Sequence, residues 1–153
     1  MLKPVKKIKA GKSSGSFAIV ASCYNARYVD GMLNAAVTEL KRARAKVQVV
    51  RVPGAYEIPV VAAKLSALSS QPSAIICLGV ILRGATTHAQ HIGEAVSNAL
   101  MQIQLQHGVP VIHEVLLLEN KEQAEARCLD PKHNRGVEAA QTAMEMARVM
   151  AAL

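Results

Sequence analysis

The chain has 153 residues, a length that fits one domain with a single core and leaves little room for a second. The composition is 51% hydrophobic but only 3% aromatic, with no tryptophan, so we expect a core of aliphatic side chains and methionine. The most apolar run, residues 73–82, is shorter than the roughly 18 residues that a membrane-spanning helix needs, so no membrane partner is expected.

The net charge of +7 is concentrated at the N-terminus. Five of the 18 basic side chains lie in the first twelve residues: Lys3, Lys6, Lys7, Lys9 and Lys12. The rest of the chain has 13 basic and 11 acidic side chains, so it is nearly neutral and a basic surface for nucleic acid is not evident. We interpret residues 1–16 as a basic, flexible arm and residues 17–153 as the folded domain. The arm lacks the apolar core of a secretory signal, which predicts a cytoplasmic protein.

Three cysteines, each more than fifty residues from the next, fit neither a disulfide framework nor a zinc site. We expect them to be reduced. Cys23 and Cys77 lie in apolar, strand-like runs, where we expect them to behave as small hydrophobic residues.

The first half of the chain predicts two strands and two helices. Residues 17–23 form a short apolar run that is typical of a buried strand. A helix is predicted to follow Asp30, and its apolar side chains recur at helical spacing: Leu33, Val37 and Leu40. A second strand, residues 47–52, stops at a Pro-Gly turn pair. Pro59 suits the first turn of the next helix, which we expect to run to about Leu68.

The second half predicts two more strands and three helices. Residues 74–82 are a continuous apolar run, as expected of a central parallel strand. A long helix follows and ends at Gly108, and its predicted buried stripe is Ile92, Val96, either Ala99 or Leu100, and Ile103. Residues 109–117 are predicted as the fourth strand, residues 121–127 as a short helix and residues 137–150 as the last helix.

This alternation of strands and helices predicts an α/β fold: a flavodoxin-like three-layer sandwich with a four-stranded, mostly parallel sheet and right-handed crossovers. Ligands of such sheets bind outside the carboxyl ends of the strands. Four segments are expected to converge there: residues 22–25, 53–59, 79–88 and 113–114.

The segment GVILRGATTH, residues 79–88, carries the clearest chemistry. Gly84 allows a ligand to approach the backbone, while Ala85 and Thr86 offer amide groups at the start of a helix, where anions bind. His88 follows in the first turn and can exchange protons near neutral pH. The loop alone leaves open a simpler interpretation, a capping loop with an exposed histidine.

Three further side chains have functional and structural interpretations. Glu57 lies between a turn and a proline-started helix, where its carboxylate can accept hydrogen bonds from a polyol or merely begin the helix. Tyr24 directly follows a strand and can stack on a flat heterocycle. Arg127 ends a charged helix, and from composition alone it is most simply a solvated residue.

Other motifs are not supported. A phosphate-binding P-loop ending at Gly11-Lys12-Ser13 would need a glycine where Lys6 stands. His88 and His91 have the spacing of a metal-chelating pair, but no obvious third ligand is present, so no metal site is predicted. Residues 11–15, GKSSG, match the letters GxSxG, but no strand precedes them, so no nucleophile elbow is predicted. The dinucleotide-binding pattern GxGxxG does not occur.

Five segments together resemble the lumazine synthase family in their order and spacing: PGAYEIP, GVILRGATTH, GVPVI, ENKEQAEAR and HNRG. The resemblance runs from about Phe17 to the C-terminus. It implies a transferase of riboflavin biosynthesis that condenses 5-amino-6-(D-ribitylamino)uracil with 3,4-dihydroxy-2-butanone 4-phosphate. The products are 6,7-dimethyl-8-ribityllumazine, phosphate and water, and no cofactor or metal is implied.

The resemblance also implies residue roles. His88 is the proton shuttle. The phosphate site consists of Ala85, Thr86 and Arg127. The remaining substrate contacts are Tyr24 on the pyrimidine ring, Ala55, Tyr56 and Glu57 on the ribityl chain, and the backbone of Val80, Ile81 and Leu82 on the pyrimidine edge. His113 stacks on the ring at a position where the family usually has phenylalanine.

The chain departs from the family pattern near the fourth strand. His113-Glu114 stands where the family usually has Phe-Gly, and Leu117-Leu118 where it has Thr-Thr. Arg135 replaces a usual lysine. In the family the site lies between subunits, so the resemblance implies a homo-oligomer, a pentamer or a sixty-subunit icosahedral shell, in which a neighbour donates Arg127 and His113.

Two other functions stay open at this point. A non-catalytic, ligand-binding or shell-forming homologue would keep the fold but lose turnover through the changes at residues 113–118. A nucleic-acid binder would use the lysine-rich arm.

Overall fold

The computed structural model describes residues 2–6 and 15–153. Its single sheet has four strands, all parallel, in the order β2-β1-β3-β4. The strands are β1 (Ser16–Ser22), β2 (Lys46–Val52), β3 (Ala74–Leu82) and β4 (Val111–Leu118). The helices are α1 (Ala26–Arg42), α2 (Ile58–Ser66), α3 (His88–His107), α4 (Lys121–Cys128) and α5 (Arg135–Ala151), with one 3₁₀ turn at Ala55–Glu57.

Helices cover both faces of the sheet, which confirms the predicted three-layer sandwich. On one face α1, α4 and α5 pack against side chains such as Ile19 and Leu78. On the other face α2 and α3 pack against Val20 and Ile75. The two central strands are buried on both faces, which explains why residues 74–82 are apolar without alternation.

The predicted start of the first helix is wrong. Helix α1 begins at Ala26, four residues before Asp30, because Asn25 adopts a left-handed conformation (φ 56°) that turns the chain directly out of β1. Asp30 lies inside the helix and forms an ion pair with Arg51 of β2 at 2.8 Å. Asn25 tolerates this conformation better than most residues, and its side chain is held by the carbonyl of Val80 at 2.7 Å.

Smaller corrections have local causes. The prediction that Cys23 is buried is wrong: β1 ends at Ser22, and Cys23 is exposed in the following turn, whereas Cys77 is buried. β4 begins at Val111 rather than Val109. Helix α5 begins two residues earlier than expected because the side chain of Asn134 accepts a hydrogen bond from the amide of Gly136 at 2.8 Å.

The turn between α4 and α5 is fixed by a close backbone contact. A β-carbon on Gly136 would lie 1.9 Å from the carbonyl oxygen of Met32, so α5 can approach α1 only with glycine at this position. The Asn134 amide donates to the carbonyl oxygens of Gly31 and Cys128, at 3.2 and 2.8 Å. These contacts tie the ends of α4 and α5 to α1.

The described part of the predicted arm contacts its own domain. The Val5 amide donates to the Lys132 carbonyl at 2.8 Å, and the Gln141 side chain donates to the Lys6 carbonyl at 2.9 Å. Residues 1 and 7–14, which include most of the arm and the rejected P-loop segment, lie outside the described residues. None of the helices described is long and apolar enough to cross a membrane.

Candidate active site

A large cavity of about 1020 Å³ opens at the carboxyl end of the sheet. It arises because the strands differ in length: β3 pairs with β1 only as far as Leu78, while its pairing with β4 continues to Leu82. Residues 79–82 therefore lack a partner on the β1 side. The cavity is lined by Tyr24, Asn25, Gly54, Ala55, Tyr56, Glu57, Val80, Ile81, Leu82, Gly84, Thr86, His88, Ala89, His91, Ile92 and Ala95.

The unpaired edge of β3 presents backbone groups to this cavity. The carbonyl of Val80 accepts the Asn25 amide, which shows that Val80 turns its peptide groups towards the β1 side. Because backbone groups alternate along a strand, Leu82 presents its own donor and acceptor on the same side, and Ile81 turns its peptide groups towards β4. Ile81 instead contributes its side chain, which packs on the α2 and α3 face.

The 3₁₀ turn holds Glu57 in a fixed orientation. Its Oε2 accepts a hydrogen bond from the Gly54 amide at 3.0 Å, so the carboxylate is pinned back on its own turn. A β-carbon on Gly54 would lie 2.9 Å from this oxygen, which explains why glycine suits the position. The second oxygen, Oε1, has no partner among the described residues and can accept from a ligand hydroxyl.

The loop before α3 combines free amide groups with a histidine. No acceptor in the described part of the chain pairs with the amides of Ala85 and Thr86, which stand beside the positive end of a 20-residue helix. His88 begins that helix and is exposed to the cavity. The arrangement can bind an anion and place a proton carrier next to it.

The cavity is open on one side. Tyr24 and Tyr56 line it with 74% and 64% of their surfaces exposed, so both rings are accessible to a ligand. Among residues 2–6 and 15–153, no lysine or arginine lines the cavity. A dianionic ligand would therefore find amide donors and histidines here, but no lysine or arginine from residues 2–6 or 15–153.

Arg127 lies elsewhere, beside a second cavity of about 670 Å³. This cavity lies between residues 2–6 and the ends of α4 and α5, and it includes Arg135, Glu138 and Gln141. Arg135 is paired with Glu138. Within the described residues, the Arg127 guanidinium has no carboxylate partner and makes only a 3.4 Å contact with the Gln123 carbonyl.

His113 also lies outside the large cavity, on the edge strand β4. Its Nε2 is 2.7 Å from the Oγ of Ser97 on α3, and its Nδ1 accepts a hydrogen bond from the Val115 amide at 3.2 Å. Partial burial lowers the pKa of His113 below its ordinary value, which favours the neutral ring.

Glu114 points to the opposite face of the sheet from His113. Burial raises its pKa to about 7, with Arg135 acting in the opposite direction and Glu138 in the same direction. The carboxyl group is therefore protonated to a much larger extent at neutral pH than that of an exposed glutamate.

His88 and His91, three residues apart on α3, are not joined by a third ligand among the described residues. His91 Nε2 lies 3.4 Å from the Thr87 hydroxyl. Across the described ranges, no three histidine, cysteine or acidic side chains are grouped in a way that could hold a metal ion.

Comparison with known proteins decides the family. Residues 14–151 match the family model described as 6,7-dimethyl-8-ribityllumazine synthase. The chain belongs to this family. A protein of that name from Stenotrophomonas maltophilia (strain R551-3) is 42% identical over 140 residues, which is 90% of each chain. Another from Xanthomonas oryzae pv. oryzae (strain PXO99A) is 43% identical over 137 residues, 88% of each chain.

The lumazine synthase fold brings most residues of the predicted site to the large cavity. These are Tyr24, Ala55, Tyr56, Glu57, Val80, Ile81, Leu82, Thr86 and His88. Ala85 lies between two lining residues, Gly84 and Thr86. Arg127 and His113 are not brought to this cavity by the folding of one chain. Asn25 lines it without having been assigned a role, and its place immediately after a buried strand was the available signal.

Proposed function

We propose that the chain catalyses the condensation of 5-amino-6-(D-ribitylamino)uracil with 3,4-dihydroxy-2-butanone 4-phosphate. The products are 6,7-dimethyl-8-ribityllumazine, phosphate and water, as in riboflavin biosynthesis. Membership in the family supports this reaction. The observation that carries the proposal is the large cavity, where His88 stands next to the amides of Ala85 and Thr86, for which the described residues provide no acceptor.

The reaction needs proton transfer and positioning more than strong acids or bases. The pyrimidine amine attacks the ketone and forms an imine with loss of water. Phosphate is then eliminated, and the enol that this leaves tautomerises to a new carbonyl. The second amino group attacks this carbonyl and closes the ring with loss of a second water. His88 carries protons between these steps, and much of the rate comes from holding the two reactants in contact. No cofactor is required.

The phosphate binds at the start of α3 in this proposal. The Ala85 and Thr86 amides donate to its oxygens, and the helix dipole adds favourable charge. A cation is still needed for a dianion, and the cavity has none from the described part of its own chain. Arg127 of a neighbouring subunit meets this need, since its guanidinium has no carboxylate partner within the described residues.

The pyrimidine and its ribityl chain occupy the rest of the cavity. Tyr24 stacks on the ring, while the backbone of β3 reads the ring edge. Glu57 accepts a hydrogen bond from the ribityl hydroxyls through Oε1, and Ala55 and Tyr56 line the same stretch.

The chain acts as a homo-oligomer, at least a pentamer, in this proposal. A site that needs Arg127 and His113 from a neighbour cannot be complete in a monomer. Exposed apolar side chains support contact with another copy: Val60, Met101 and Leu105 are 69%, 55% and 75% exposed. Sedimentation should give a pentamer or a sixty-subunit shell, and an active monomer would contradict this.

Product formation distinguishes this function from its alternatives. With both substrates, the purified protein should form the lumazine chromophore and release phosphate in equal amounts. A non-catalytic homologue would bind the pyrimidine without product. It is not favoured, because residues of the two motifs PGAYEIP and GVILRGATTH line one cavity and the relatives of the chain are lumazine synthases. A salt-sensitive shift of nucleic acid without product would favour the nucleic-acid binder. A cytoplasmic location stays a prediction.

A further inference from the structure

Two hydrogen bonds fix the ring of His113 on the edge strand. One joins Nε2 to the Oγ of Ser97, at 2.7 Å, and so ties β4 to α3. The other runs from the Val115 amide to Nδ1, at 3.2 Å, within β4 itself. Both ring nitrogens are therefore occupied, and the plane of the ring is determined by the protein.

The second bond determines the position of the proton. A backbone amide can only donate, so Nδ1 must offer a lone pair and the neutral ring carries its proton on Nε2. That proton is donated to Ser97. The serine hydroxyl is thus an acceptor from the ring, so Ser97 and His113 do not form a nucleophile and its general base.

The charged side chains near Ser97 have other partners and do not orient the His113 ring. Arg83 and Glu94 line the small cavity beside Ser97, but Arg83 lies 3.5 Å from Glu119 and Glu94 accepts the side-chain amide of Gln90 at 2.9 Å. The residue opposite His113 on β3 is Cys77, which is fully buried. Ser97 is therefore the side chain that orients the imidazole.

We propose that Ser97 is a positioning residue: it accepts the Nε2 proton of His113 and fixes the plane of the ring, while the Val115 amide occupies Nδ1, so that an oriented, uncharged ring face is presented to the substrate heterocycle. The part that concerns substrate rests on the proposed function, in which His113 reaches the site of a neighbouring subunit. A histidine at this position needs such control, because a freely turning, protonated imidazole would carry charge against the heterocycle and stack less uniformly.

Spectroscopy of the assembled protein tests the orientation without turnover. In ¹⁵N-histidine-labelled protein, with His113→Phe used to assign the signal, Nδ1 should have the shift of an unprotonated nitrogen and Nε2 that of a protonated one. In Ser97→Ala the Nε2 proton should exchange with water much faster. A protonated Nδ1 in the wild type, or unchanged exchange in Ser97→Ala, would overturn the proposal.

Kinetics test the consequence for substrate. Ser97→Ala should raise KM for the ribityl pyrimidine about 2- to 10-fold, the range of one neutral hydrogen bond, with kcat changed less than about twofold. Ser97→Thr, which keeps a hydroxyl, should restore much of the affinity, and Asn98→Ala on the same helix should leave KM unchanged. In a His113→Phe background, Ser97→Ala should have no further effect.

The outcomes distinguish the positioning role of Ser97 from the proposed reaction of the chain. An unchanged KM in Ser97→Ala, or an equal loss in the His113→Phe background, would refute the positioning role while product formation still supports the proposed function. Absence of product from the wild type would refute the function, and the nitrogen shifts would still decide whether Ser97 fixes the ring.

Discussion

His88 and Arg127 line different cavities of the folded chain. His88 stands at the start of α3 on the large cavity, whereas Arg127 lies in the last turn of α4, beside residues 2–6 and Arg135. One chain cannot apply both side chains to the same substrate in this geometry. If both act in the reaction, neighbouring subunits must share each site.

His88→Ala should slow turnover by about one to three orders of magnitude, because proton transfer is lost while the two substrates are still positioned. Single-turnover formation of the lumazine chromophore measures this. His107→Ala, at the far end of α3, is the matched control and should retain the wild-type rate. An unchanged rate in His88→Ala would remove this residue from the mechanism.

Arg127→Ala should raise KM for the butanone phosphate by at least about tenfold, since each charge-assisted bond to the phosphate contributes roughly 1.5–3 kcal/mol. KM for the ribityl pyrimidine should change much less. Arg148→Ala, an exposed arginine paired with Glu145 on α5, is the control and should leave both constants unchanged.

Inorganic phosphate gives a second measurement on the same variant. It should raise the melting temperature of the wild type more than that of Arg127→Ala, because a ligand stabilises only the form that binds it. Equal protection of both proteins, together with unchanged kinetics, would return Arg127 to the solvated role suggested by composition.

Glu114 should make stability depend on pH. Its pKa is raised from the ordinary 4.5 to about 7 by burial, so the folded state prefers the protonated carboxyl. The stability that this preference contributes is complete below about pH 4.5 and is lost as pH rises through 7. Glu114→Gln should therefore be more stable than the wild type above pH 7, by up to about 3 kcal/mol, and similar to it near pH 4.5.

Thermal unfolding between pH 4.5 and 8.5 measures this difference. Glu122→Gln, at an exposed acid in the first turn of α4, serves as the control and should not show a stabilisation that grows with pH. A difference between Glu114→Gln and wild type that stays constant over this range would contradict the assignment of the raised pKa.

The sequence predicted the sheet well because periodicity and strand length report burial directly. The uninterrupted apolar run of β3 and the glycine at the end of α3 mark their elements without reference to the rest of the chain. The start of α1 was predicted wrongly because the left-handed turn at Asn25 is held by a hydrogen bond to Val80, which is 55 residues away in the sequence. Such a contact has no local pattern.

The candidate site also has a part that the sequence predicts and a part that only the fold determines. His88, Ala85 and Thr86 are adjacent in sequence, and the motif that contains them predicts their proximity. The separation of Arg127 from the large cavity could not be read from residue order, because it depends on which face of the sheet α4 covers. The pairing of Ser97 with His113 was missed for a related reason: it joins a helix to an edge strand, and neither residue type is distinctive alone.

Complementation between two impaired variants tests the shared site most directly. His88→Ala and Arg127→Ala chains are mixed, unfolded and refolded together, and lumazine formation is measured at limiting butanone phosphate. In a cyclic assembly of mixed chains, roughly one site in four should combine an intact His88 with an intact Arg127 from its neighbour. Activity should then recover to about a quarter of the wild-type value. If both side chains act within one chain, no mixed site contains both, and activity no higher than that of the separate variants would contradict the account.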